Sequence, residues 1–340
     1  MPPVSNAYLN SITFPGFSDN IEKMYLDFFK VYKAESAGLF QVMNLGETAE
    51  TVKRIDEQDM DQFAHDKPQG VDATRLTFGV AYFKEILAFR YGAQLQVSYE
   101  MRTSKRFELG KAVQRFLESI PSRMELDRQH YLSFSNVVSY VNMDGRIVDT
   151  TSGDGLSYIS TVHPLAFSLS TWSNQIAGNP VLSVTALEAG EQLAVTDILD
   201  NFGLPVMMEF SHIIVNKQDP NTVRVAREIL RSTTLVTQAN PGVVNTFMQK
   251  YELMELSKVA TNANGSLDAT KYRWWFLAAL KGTNRLQSYE CIWENPHMNP
   301  QPAGSNNGID VYNDDFSFGA RARYGHGFVS ARGIIASFAI

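Results

Sequence analysis

Residues Gly153–Phe210 read GDGLSYISTVHPLAFSLSTWSNQIAGNPVLSVTALEAGEQLAVTDILDNFGLPVMMEF. The stretch opens with a polar, turn-rich run that carries His163-Pro164 and Trp172-Ser173-Asn174. Ser183 is placed to cap a helix running to about Asp200, with Leu182 and Leu187 spaced for a hydrophobic staple. Gly203 is positioned to stop that helix and Pro205 follows it; VMMEF and HIIV then read as short strands. Enzymes commonly place reactive groups in such loops, so Asp154, His163 and Ser168 or Ser170 form the candidate set for a hydrolase. A working triad needs a base within reach of the nucleophile, together with oxyanion donors. No G-x-S-x-G elbow accompanies these residues. They read as loop-forming chemistry, and no catalytic residue is assigned.

Upstream, Leu109, Val113, Phe116, Leu117, Ile120 and Met124 fall on one face at spacings of three and four. The pattern predicts a helix from 104 to about 130, roughly 39 Å long, capped by Thr103 or Ser104 and kinked or interrupted at Pro121. Before it, RLTFGVAYFKEILAFRYGAQLQVSYE alternates at Val80, Tyr82 and at Leu95, Val97, Tyr99, with Gly92 between the halves. That spacing predicts a long β-hairpin or ribbon. An isolated ribbon is marginal in water, so this one is expected to lie on another surface. The preceding ETAETVKRIDEQDMDQFAHDKPQG reads as polar loop. Residues 1 to about 43 read as an arm and a short helix, with Ile21, Met24, Tyr25, Phe28, Phe29 and Tyr32 at helical spacing. So aromatic a stripe needs a partner surface, on its own core or on a neighbour.

Downstream, Asp219-Pro220 starts a helix over VRVAREILRS. Turns are expected at Asn240-Pro241-Gly242 and in NANGS, before KYRWWFLAALKG. The tail alternates through Phe316 and Phe318, and a turn at Gly325-His326-Gly327 with return from Phe328 predicts a terminal hairpin.

Composition narrows the function classes. At 340 residues the chain suggests about two domains, or one with large excursions. Hydrophobic residues make up 44% and charged residues 19%, a globular balance. The net charge of -6 comes with no basic stripe, which argues against an enzyme that grips nucleic acid through its phosphates. Cys291 is the sole cysteine; it excludes an internal disulfide framework and reads as a small buried residue, not a nucleophile. Histidines 65, 130, 163, 212, 297 and 326 are dispersed, without HExxH spacing or an EF-hand pattern, so no metal ligand and no cofactor is assigned. Trp274-Trp275-Phe276 lacks the flanking Lys and Arg of a base-stacking platform and reads as core or interface packing. The start, MPPVSNAYLN, lacks the regions of a signal peptide, and no apolar run approaches the ~18 residues of a membrane span. A soluble protein made in a cytoplasm, with no membrane partner, is the expectation.

Several motifs in order carry a family resemblance: SYISTVHPL, WSNQIAGNP, LSVTALEAGEQL, FGLPVMMEF, HIIVNKQDPNTVRVAREILRS, KYRWWFLAAL, YECIWENP, and the closing Arg321, Gly325 and Arg332-Gly333. Over about residues 150 to 340 this series resembles tailed-bacteriophage major capsid proteins, particularly Mu-like major head subunits. The resemblance implies an α+β, HK97-like capsid fold. Its parts would be an N-terminal arm at 1–43, an extended β-ribbon loop at 44–102 and a peripheral domain with a long spine helix at 103–210. An axial domain would occupy 211–288, and C-terminal strands at 289–340 would return to the peripheral domain. The implied product is a non-enzymatic icosahedral shell of pentamers and hexamers, located in the virion capsid, assembled in the host cytoplasm and enclosing double-stranded DNA contacted non-specifically. Its implied partners are copies of itself, a separate scaffolding protein, a portal and a decoration protein. Some relatives crosslink a lysine of the extended loop to a neighbour's asparagine. Lys53, Lys67 and Lys84 lie in the right region, but no motif marks an acceptor or a catalytic glutamate, so that activity is not carried over. The alternatives are a cellular nanocompartment (encapsulin-like) shell of the same fold and, further off, a soluble hydrolase.

Overall fold

The computed structural model describes residues 32–60 (save 47 and 49), 66–98 (save 68, 71, 74 and 77), 100, 109–234, 244–282, 285–298 and 316–340. The expected aromatic helix over 21–32, the caps at Thr103 or Ser104 and the turn at Asn240-Pro241-Gly242 lie essentially outside these residues.

Among the described residues, two four-stranded sheets and three α-helices organise the fold. The first sheet has the order β1 (Gln41–Asn44), β12 (Gln287–Met298), β13 (Phe316–Ser330), β4 (Phe89–Val97). β1 runs parallel to β12, and the other two pairings are antiparallel. Across it lies α1 (Leu109–Ser133), whose Val113, Phe116, Leu117, Ile120 and Met124 are buried as their spacing predicts. At 25 residues it is a rod of about 37 Å. Pro121 neither ends nor interrupts it. Polar bonds fix the rod to the sheet: Tyr324 donates to Asp127 Oδ2 at 2.9 Å, and Tyr131 donates to the His326 carbonyl at 2.6 Å.

The second sheet has the order β10 (Glu252–Leu256), β9 (His212–Asn216), β11 (Trp275–Ala278), β14 (Ile334–Ser337). Every residue of β9, β11 and β14 is buried. Their sequences are apolar except at His212, Asn216 and Ser337 on the strand ends, as expected of strands covered on both faces. Trp275 and Phe276 are core, and Trp275 Nε1 donates to the Pro180 carbonyl at 2.9 Å. Cys291, on β12, is buried as well, and burial pushes its thiol up to about 11.

Local chemistry starts the other two helices where it should. In α2 (Val184–Thr196) the Ser183 hydroxyl accepts from Ala186 N at 3.1 Å, and both staple residues, Leu182 and Leu187, are buried. Ser183→Ala is expected to cost about 1 kcal/mol in a denaturant titration; an unchanged midpoint would refute the cap's role. In α3 (Pro220–Arg231) Asp219 accepts from Asn221 N, with Pro220 in the first turn. The NANGS turn closes with Asn262 N bonded to the Ser266 carbonyl and Gly265 at φ 81.

Four expectations are corrected. First, α2 stops at Thr196, and Gly203 serves instead a separate turn in which Asp200 Oδ1 accepts from Phe202 N and Leu204 N. Second, VMMEF forms no strand, because beyond the bridge Leu199–Pro205 no neighbouring strand is there to pair with it. Third, the ribbon does not fold back at Gly92. β3 (Phe78–Leu87) pairs with β2 (Val52–Met60), the stretch that reads as polar loop, while β4 leaves to join β13. The inward positions of β2 are Lys53, Ile55, Glu57 and Asp59, so three charges replace the apolar half of the alternation. Fourth, β13 runs straight through Gly325-His326-Gly327. A Cβ on Gly325 would stand 2.1 Å from the Leu87 carbonyl oxygen, and one on Gly327 would stand 2.7 Å from Ile86 Cγ1. These glycines permit β3 to cross β13 at close range; they make no turn.

Candidate functional site

The block at 153–210 is where the ribbon sits. Tyr82 donates to the Pro164 carbonyl at 3.2 Å, and the Phe167 ring lies against Gly79. Lys84 Nζ donates to Asp149 Oδ2, the Thr151 carbonyl and Thr151 Oγ1, each at 2.7 Å. Burial, partly offset by Asp149, lowers its pKa. Arg332 donates to Glu57, and Asn201 donates to Asp59 Oδ2 from its backbone N at 3.1 Å and from Nδ2 at 3.0 Å. The inward face of the ribbon is thus docked largely by polar clamps. Glu57, Asp59, Asn201 and Arg332 were not singled out as a unit in the sequence, because nothing local marks a charge that is satisfied across more than a hundred residues.

The outward face is the opposite. Val52, Phe78, Val80, Phe83 and Leu87 point to solvent, with Phe78 64% and Leu87 52% exposed. Arg54 stacks over the Phe83 ring at 3.9 Å. A second apolar face lies on the hairpin β5 (Ser139–Val141) and β6 (Ile147–Asp149), where Val141 and Ile147 are cross-strand partners and both exposed. Adjoining apolar side chains exposed on two elements mark surfaces of interaction.

Within the seat, two members of the hydrolase set do meet. His163 Nδ1 lies 2.6 Å from Asp154 Oδ2, and Nε2 lies 3.2 Å from Asn174 Oδ1. The ring is fully buried and stacks on Trp172 at 4.5 Å. Burial would raise the Asp154 pKa, but the bond and charge of His163, with donation from Ser152 and Leu156 N, hold the carboxyl below its ordinary value. Both ring nitrogens are thus engaged, and neither faces Ser168 or Ser170. Asn174 accepts from Ser160 N and donates to the Tyr158 and Ala331 carbonyls. The cluster ties its loop to the chain beside β14; it does not present a nucleophile to a base.

The other singled-out residues scatter. His130 bonds Thr261 Oγ1 at 3.0 Å, and burial, then Lys271, push its pKa down to about 3. His212, His297 and His326 each face one glutamate, and His65 lies outside the described residues. Among the described residues no group of three His, Cys, Asp or Glu is placed to hold a metal, and no helix is long and apolar enough to cross a membrane. Of the three lysines considered for crosslinking, Lys84 is clamped and buried, Lys53 half-buried and Lys67 exposed.

No family model matches the chain, and no curated protein matches it in sequence. Solved structures do match. The asymmetric unit of the bacteriophage PhiM1 mature capsid aligns with a TM-score of 0.52 at 12% identity, over 90% of this chain and 87% of that one. The capsid structure of the cyanophage P-SCSP1u aligns at 0.51 and 11% identity, over 89% and 86%. A structure from Gordonia phage Cozz aligns at 0.50 and 11% identity, over 89% and 85%. The chain shares the α+β, HK97-like fold of these phage capsid structures.

Proposed function

We propose that this chain is the major head subunit of a tailed phage, assembling into a closed icosahedral shell of pentamers and hexamers around double-stranded DNA. The observation that carries the reading is the apolar outward face of a ribbon whose inward face is already docked. A monomer leaves that face wet. Covering it with a second copy yields about 25 cal/mol per Å² of apolar surface before association costs. Repeated by symmetry, modest contacts suffice. The fold shared with phage capsid structures supplies the architecture in which such contacts close a shell.

In this reading the arm is 1–43, the ribbon loop 44–102, the peripheral domain 103–210, the axial domain 211–288 and the returning strands 289–340. A scaffold, a portal and a decoration protein complete the partner set. The Mu-like subtype rests on the order of sequence motifs alone. Assembly takes place in the host cytoplasm, and a net charge of -6 suits a lining that does not adhere to its DNA. The test is negative-stain microscopy of the full chain, expressed alone and with its scaffold. Closed particles, tubes or capsomers are expected, and a strictly monomeric protein under both conditions overturns the proposal. Nuclease-resistant double-stranded DNA inside particles from infected cells tests the contents.

A further inference from the structure

A cavity of ≈ 470 Å³ opens on the face of the first sheet turned away from α1, lined by Arg90 of β4, Arg321 and Arg323 of β13, and Trp293 and Glu294 of β12. Three guanidinium groups face a single carboxylate. Glu294 pairs with Arg321. Arg323 donates to the Thr48 carbonyl at 3.1 Å and the Glu50 carbonyl at 2.7 Å, and among the described residues its charge has no counter-ion. Arg90 is exposed, and in register it stands directly opposite Arg323. Like charges directly across an antiparallel pair are unfavourable. The Trp293 side chain, 1% exposed, forms part of the cavity wall. Arg323 lies over that ring, 5.9 Å from its centroid.

We infer that this cavity is an oxyanion site, and that in the assembled shell it takes a carboxylate from a second copy of the chain. Only the source of the carboxylate rests on the shell reading; the site itself does not. Guanidinium groups match a carboxylate or a phosphate in paired, charge-assisted bonds. Two features favour the carboxylate. The chain carries 36 Asp and Glu against 30 Lys and Arg, so a second copy offers an acidic surface. Nucleic acid is gripped by an extended run of cations that neutralises successive phosphates, whereas this site is a single recess that admits one group.

The test is calorimetric titration of the purified full-length chain at low ionic strength, with a blocked acidic peptide in one arm and inorganic phosphate in the other. Saturable peptide binding is expected, weakened about tenfold by Arg90→Ala and severalfold by Arg323→Ala, and unchanged by Lys67→Ala. No saturable binding in either arm, or binding indifferent to both cavity variants, overturns the oxyanion site. Phosphate binding much more tightly than the peptide overturns the second-copy assignment in favour of nucleic acid. In particle assays Arg90→Glu is expected to cut the yield about tenfold, although the free chain unfolds no earlier than the wild type, since the new carboxylate pairs with Arg323 across the strands. Wild-type yield from that variant refutes the assignment. If the wild-type chain forms no particles, the shell reading and the second-copy source fall together, while the titration still decides the site.

Discussion

Gly325→Ala unseats the ribbon. The added methyl carbon would lie 2.1 Å from the Leu87 carbonyl oxygen and 3.0 Å from its carbon, with Ile86 Cγ2 at 3.1 Å. Two of these three atoms are backbone, so no flexible side-chain end can swing aside. Overpacking of a well-filled site typically costs 1–3 kcal/mol, and a backbone-on-backbone clash belongs at the top of that range or beyond. The expected result is a loss of about 3 kcal/mol in denaturant unfolding, with new protease cleavage between residues 52 and 87 as the crossing strand lifts. Gly92→Ala is the matched control. It sits on the adjacent strand, its nearest neighbour would be the Ala320 carbonyl oxygen at 3.6 Å, and its φ is ordinary. That variant is expected to change stability by no more than about 1 kcal/mol. Equal stability and equal protease patterns for the two variants would show that the crossing carries no weight.

The second large effect belongs to Glu290. Its carboxylate is 1% exposed beneath α1, where Arg128 reaches it with Nη2 at 2.8 Å and Nε at 3.2 Å, and His326 Nε2 stands 3.2 Å away. Burial alone would raise its pKa. The His326 bond and charge, then Arg128, overcome that and bring it from 4.5 to about 2. Because the folded value is depressed, the stabilisation is fully present above the unfolded pKa and is lost as pH falls toward 2. A shift of that size corresponds to roughly 3 kcal/mol. Glu290→Gln is therefore expected to be about 3 kcal/mol less stable at pH 7, since it removes the buried carboxylate that His326 and Arg128 hold and leaves Arg128 only Glu125, at 3.6 Å. It should also show a stability curve flatter by about 3 kcal/mol between pH 5 and pH 2. Parallel curves for variant and wild type would rule the linkage out.

What the chain discloses of itself follows the range of each interaction. The caps at Ser183 and Asp219 and the Asn262–Ser266 turn are settled by atoms a few residues apart, so they can be read locally. β2 cannot, since its inward Glu57 and Asp59 are satisfied by Arg332 and Asn201, far along the chain. Gly325 and Gly327 imitate a turn because local sequence does not distinguish a glycine needed for φ from one needed for clearance. The ribbon's alternation was visible at Val80 and Tyr82, yet these two point to opposite faces. A register irregularity between Asp56 and Gln58 accompanies a change of phase in β3, and periodicity alone does not reveal it. The same limit applied to the site. Its apolar residues were in view, but which face docks and which stays open depended on partners elsewhere in the chain.

β13 has a mechanical consequence. Its 15 residues span about 50 Å, with hydrogen-bonded neighbours along both edges, and after Ser330 the chain passes almost at once into β14 of the other sheet. A pull along that axis loads the rungs of both ladders together instead of one after another. Peeling needs one bond to yield at a time, whereas shearing needs many to yield at once. The strand therefore acts as a tie-bar between the two sheets, and tension applied to the chain would meet its stiffest resistance along this line.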